Sequence, residues 1–206
     1  MYARSTMVDA HPSTLDAGVA HVREQLLPTA LEVDGCVGLS MLVAPASGRC
    51  VVTTAWRSAE AMRAGGVRLR PAYDRLGVML QGRPDDEDWE IAVVHRAHRS
   101  RPGACVRAVR VQVDPERMDH GVDLYRMVLL PQIEEFPGFS SASLWLDRTS
   151  GHAVSSVTFD SREAMRCTRN LAAVVREGAC REASGEVLDV DEFELALAHL
   201  HVPELV

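Results

Sequence analysis

Laid over itself with an offset of 103 residues, the chain matches itself. Ser58-Ala-Glu-Ala-Met-Arg63 falls on Ser161-Arg-Glu-Ala-Met-Arg166, with five identities in six. The same offset places Arg4 on Arg107, Pro12 on Pro115, Asp16 on Asp119 and Gly18 on Gly121. It also places Leu26-Leu27-Pro28 on Leu129-Leu130-Pro131, Gly35 on Gly138 and Ser47-Gly48 on Ser150-Gly151. With one residue inserted, Trp89–His95 aligns with Phe193–His199. Matches kept in order along a half-chain do not come from composition, and so long a period marks whole domains rather than short stacked units. Two related domains are therefore expected, residues 1–97 and 104–206, joined by the basic Pro-Gly stretch Arg96–Ala104.

Both halves follow the same order. Residues 3–8 and 105–113 are β-rich runs, each followed by a proline (Pro12, Pro115) where a first helical turn accepts one, with Asp114 as an N-cap. Apolar steps of three and four then predict an amphipathic helix, through Leu15, Val19, Val22 and Leu26 and through Met118, Val122, Tyr125 and Leu129. Pro28 and Pro131 predict kinks in these helices, and Gly35 and Gly138 predict their ends. Two strands around each Ser-Gly pair read as a hairpin. A second helix begins near Ser58 and Ser161, where Asp160 and Glu163 have capping-box spacing. In the first half Gly65-Gly66 and Pro71 predict that this helix splits in two. The acidic runs Asp85–Asp88 and Asp189–Glu192 read as solvated approaches to the final strands. The order strand, helix, strand, strand, helix, strand, twice over, is α+β: two ferredoxin-like βαββαβ repeats. Helices on one face leave each sheet's other face bare. The expectation is therefore two repeats packed sheet to sheet as an intrachain α+β barrel, a pseudo-dimer open to further homo-oligomerisation.

Charge narrows the chemistry. All 22 basic side chains are arginine, so Schiff-base lysines and phosphate-loop lysines are excluded. A net charge of −7 argues against nucleic-acid partners and anionic membranes. The second half carries 17 acids against 11 arginines, so an anionic ligand is expected to prefer the first half. Five cysteines without a CxxC pair, no leader segment and no long apolar run fit reduced thiols in the cytoplasm.

Phe136-Pro-Gly-Phe139, the hairpin after it, and Phe159-Asp-Ser-Arg-Glu-Ala-Met165 resemble the antibiotic biosynthesis monooxygenase domain family. Trp56-Arg-Ser-Ala-Glu-Ala-Met62 carries the same helix start in the first half, so the resemblance covers nearly the whole chain in two copies. It implies a cofactor-independent monooxygenase-like protein acting on an electron-rich aromatic small molecule. The alternative is a non-catalytic small-molecule-binding or structural tandem protein. The family's haem-degrading branch uses an asparagine on the first strand and a tryptophan and histidine on the second helix. Here Ala3–Val8 and Val106–Arg110 hold no asparagine, and Gly65 and Thr168 stand at the tryptophan position. Neither haem nor any other cofactor is expected.

Candidate site residues follow. His95 and His199, matched on the final strands, are candidate proton acceptors, and Tyr73 on the first half's second helix is a third catalytic candidate. Arg4 and Arg107, matched on the first strands, require either a ligand anion or an ion pair. Trp56, Phe159 and Trp145 are candidate aromatic walls, and Asn170 is the chain's one asparagine. Arg68 lies on the glycine-hinged basic segment Arg63–Arg70, the candidate moving part. His95, His98, His199 and His201 lack the spacing of converging ligands, so no metal is expected.

Overall fold

A computed structural model of the chain describes residues 1–200 and 203–205, so His201 lies outside the described residues. The chain forms two units. Of the described residues, one takes Met1–Trp89 and Glu194–Leu200; the other takes Glu90–Phe193 and Pro203–Leu205.

The first unit runs β1 (Tyr2–Asp9), α1 (Leu15–His21), α2 (Leu27–Leu31), β2 (Cys36–Val43), β3 (Arg49–Trp56), α3 (Ala59–Leu80) and the start of β4 (Asp85–Arg96). Between α1 and α2 the helix widens into one π turn, Val22–Leu26, just ahead of Pro28. Proline has no N–H to give to the carbonyl four residues back, so the expected kink takes the form of a wider turn. β3 pairs antiparallel with β1 on one side and β2 on the other, and β2 pairs antiparallel with Glu194–Leu200 of a later strand. Gly48, with φ of 81°, turns the β2–β3 hairpin in the left-handed region that glycine alone enters freely. Behind the sheet, Val22, Leu26, Leu69, Leu76 and Leu80 are all at most 1 % exposed, and each such burial contributes roughly 1.5–3 kcal/mol.

The second unit repeats the list: β5 (Cys105–Gln112), α4 (Met118–Leu124), α5 (Leu130–Glu134), β6 (Phe139–Asp147), β7 (His152–Phe159), α6 (Arg162–Cys167), α7 (Arg169–Ala183) and the start of β8 (Glu186–Leu200). A π turn at Tyr125–Leu129 again precedes a proline, Pro131. β7 pairs with β5 and β6, and β6 pairs with Glu90–Arg96 of β4. In the first unit the hydrogen-bonded order is β1, β3, β2 and then Glu194–Leu200; in the second it is β5, β7, β6 and then Glu90–Arg96. Each half is α+β and ferredoxin-like, as its repeat order implies. The strand beside β2 and the strand beside β6, however, are each the far end of a strand that starts in the other unit. All five cysteines are free thiols, and among the described residues no helix is long and apolar enough to cross a membrane.

Three local expectations are corrected. α3 is one unbroken helix of 22 residues despite Gly65, Gly66 and Pro71. The two glycines are needed for contact: a side chain at Gly65 would strike the Trp56 indole, and one at Gly66 would strike the Arg4 guanidinium. The helix that divides is in the second unit, at Thr168. There the Met165 carbonyl accepts from the Arg107 guanidinium at 2.5 Å and from the Thr168 hydroxyl at 2.8 Å. The acidic runs, finally, are strand rather than approach, and they pair with the arginines of β1 and β5. Arg4 holds Asp88 at 2.6 and 2.8 Å, and Arg107 holds Glu192 at 3.0 Å.

Candidate functional site

α7 faces the sheet of the second unit with Ala172, Arg176, Ala179 and Ala183. The positions 103 residues earlier, on α3, hold Leu69, Tyr73, Leu76 and Leu80, all buried in the first unit's core. Three isobutyl groups are thus reduced to methyls between helix and sheet. In the first unit Leu80 packs onto Gly18, whereas a side chain built on Gly121, the matching glycine, would meet nothing within 4 Å. The space left is a cavity of about 130 Å³.

Its walls are apolar. Val109, Val111, Leu144, Leu146 and Val157 line it from the strands, and Met118, Val122 and Ile133 from the helices, with Phe136 and Phe159 stacked at 6.5 Å. No acidic side chain lines it; the polar groups at its wall are Arg107, Tyr125, Ser155 and Arg176.

Arg107 is 4 % exposed, and its charge is met inside the protein. Beyond Glu192 and the Met165 carbonyl it donates to Thr168 Oγ1 at 3.1 Å, and its Cζ lies 5.5 Å from the centre of the Phe159 ring. Burial would raise the Glu192 pKa, but hydrogen bonds from Arg169 and Arg107 outweigh it and hold the carboxyl below its usual range. Arg107 is therefore a fixed cationic wall.

Tyr125 sits at the start of the π turn, 3 % exposed. Its hydroxyl accepts from Ser155 Oγ at 3.3 Å and donates to the Ser143 carbonyl at 3.5 Å, both long contacts. Burial pushes its pKa up to about 12, so it stays a neutral phenol able to donate. Arg176 is half-buried at the cavity wall and forms no ion pair or hydrogen bond among the described residues.

Of the residues singled out in the sequence, Arg107 and Phe159 line this cavity. The others lie elsewhere. His95 has Nε2 2.6 Å from Glu134 and Nδ1 2.9 Å from Glu204; the second contact is an ion-pair distance without hydrogen-bond geometry. His199 stands opposite Leu39 in the first unit's sheet. Tyr73 is buried beside Thr6 and Thr54, its hydroxyl outside hydrogen-bond geometry, and burial raises its pKa. Trp56 is buried, its indole N–H donating to Thr54 at 3.0 Å. Trp145 alternates with Leu144 and Leu146, away from the cavity. Asn170 is exposed on α7, and Arg68 makes an exposed ion pair with Glu32 at 3.6 Å. Among the described residues no cluster could hold a metal ion. Sequence reasoning missed Tyr125, Ser155, Arg176 and the α7 alanines. The signal was present at the 103-residue offset, in positions that change size between halves rather than in those that match.

No protein-family profile matches the chain. The chain is 52 % identical over 206 residues to the uncharacterized protein Rv2557 of Mycobacterium tuberculosis, covering all of this chain and 92 % of that one. To the uncharacterized protein Rv2558 of the same organism it is 49 % identical over 207 residues, covering 88 % of that protein. Among solved structures, an anthrone oxidase-like protein superposes with a TM-score of 0.67 at 14 % identity, over 99 % of this chain and 93 % of that one. A monooxygenase-like protein from Listeria innocua gives 0.55 at 10 % identity, over 95 % of this chain and 94 % of its own. A heme-degrading enzyme from Listeria monocytogenes gives 0.55 at 12 %, over 94 % and 99 %. At such identities the likeness is one of fold.

Proposed function

We propose that this chain, which belongs to the same family as the mycobacterial proteins Rv2557 and Rv2558, is a tandem antibiotic biosynthesis monooxygenase-type protein that takes a small electron-rich aromatic molecule into the cavity of its second unit. The observation that carries this reading is the emptied space under α7, with apolar walls and one tyrosine and two arginines among the lining residues. Apolar pockets with a few placed polar groups are the usual form of small-molecule sites. About 130 Å³ is the size of one aromatic ring, not of a fused polycycle.

The oxygenase reading draws on the monooxygenase-like and anthrone oxidase-like neighbours. In such a reaction a ring C–H carbon of a phenol becomes a quinone carbonyl: one atom of dioxygen enters the ring, the other leaves as water with the two hydrogens lost, and the substrate supplies the electrons. Tyr125 would donate to the developing phenolate, and Arg107 would stabilise its charge at short range. A second reading, binding without turnover, is favoured by one placement: His95, His199 and Tyr73, the candidate proton acceptors, do not line the cavity.

Calorimetry with single-ring aromatics and oxygen-electrode assays with single-ring quinols test both. Ring binding with oxygen uptake supports the oxygenase, and ring binding without uptake supports the binder. No ring binding overturns the assignment of the cavity.

A further inference from the structure

We infer that the ligand of the second unit's cavity is a single-ring aromatic acid whose carboxylate is received by Arg176. This rests on the cavity reading above and deepens it. Arg107 and Arg176 both line the cavity, but they differ in one respect. Arg107 is saturated by Glu192, Thr168 and the Met165 carbonyl. Arg176 is half-buried beside apolar residues and has no acid or carbonyl partner among the described residues.

An arginine half-buried against an apolar wall loses part of its hydration, and an anionic partner makes up for that loss. No acidic residue lines the cavity, so the chain itself offers none there. A guanidinium presents two parallel N–H donors that match a planar carboxylate, and this suits an aryl acid lying edge-on. The position is also where the two halves diverge in chemistry: the first unit has Tyr73, buried and neutral, where the second has Arg176. The same segment that loses three leucines to alanine thus gains a cation. One change makes room for a ring, and the other selects its substituent. Across each half-chain the sum of charges favours the first half for anions, but at contact range the local field decides.

Benzoate and benzamide are nearly the same shape and differ in charge, so they separate the ring from the anion. Calorimetric titration of the full chain with each, at low salt, is expected to give benzoate at least tenfold the affinity of benzamide, in line with a charge-assisted pair. Arg176→Gln should remove that preference, bringing benzoate to the affinity of benzamide in the same variant; circular dichroism reports that the variant is folded. Equal affinities in the wild-type chain, or a benzoate preference that survives Arg176→Gln, overturns the inference while leaving the cavity reading intact. If neither compound binds, the cavity reading itself fails and the inference with it.

Discussion

At the residue scale the two halves are distinguished by a few side-chain volumes. Leu80 fills in the first unit the space that Ala183 leaves in the second, and each is the last residue of its helix, two residues before a glycine, Gly82 or Gly185. Leu80→Ala is expected to cost about 2–5 kcal/mol, the range for a buried leucine cut back to a methyl. Ala183→Leu is expected to do the opposite: the melting temperature holds or rises, and ring binding in the second unit falls at least tenfold. Thermal melts and titrations on the two variants check this pair. A strongly destabilised Ala183→Leu chain would mean that the second unit has no room to fill. The cavity was written in the sequence as leucines replaced by alanines, but a self-comparison that rewards identity passes over such positions. Arg176 escaped for the same reason.

At the scale of elements, the strands, hairpins and paired prolines were legible because each depends on local rules: alternation, a Ser-Gly turn, a missing N–H. The continuity of α3 and the break at Thr168 were not, because tertiary partners decide them. Gly65 and Gly66 remain helical because Trp56 and Arg4 occupy the space beside them. The break follows from Arg107 and Thr168 taking the Met165 carbonyl. Glu192 anchors that same arginine and gives the second unit a defined response to acid. Its folded pKa lies below its unfolded value, so its contribution is complete above an unfolded pKa of about 4.3 and is lost as pH falls through the folded value. Glu192→Gln is expected to lose roughly 1–3 kcal/mol at neutral pH, and to lose less than the wild type when taken from pH 5 to 3. Urea melts across that range give the slope; parallel lines for variant and wild type would remove Glu192 from the account.

At the scale of the whole molecule, neither half of the sequence contains all of its own sheet. Residues 1–97 lack the strand Glu194–Leu200 that pairs with β2, and residues 104–206 lack Glu90–Arg96 that pairs with β6. Fragments cut at the Pro-Gly stretch should each aggregate or stay unfolded alone, with an unpaired strand edge, yet recover native circular dichroism when refolded together. A well-folded, monomeric 1–97 fragment would contradict this. The repeat order alone could not reveal the exchange: one strand pattern serves equally well whichever sheet it joins.

The strand that completes the first sheet also sets an order in time. Ribosomes add about 5–20 residues per second, so after β3 has emerged the first sheet waits on the order of ten seconds for the strand that pairs with β2. Throughout that wait the N–H and C=O groups on the edge of β2 away from β3 have no strand beside them, and any extended segment nearby can take the place. The interval between synthesis of the two halves is the period in which this protein is most open to chaperones and to mispairing with a neighbouring nascent chain.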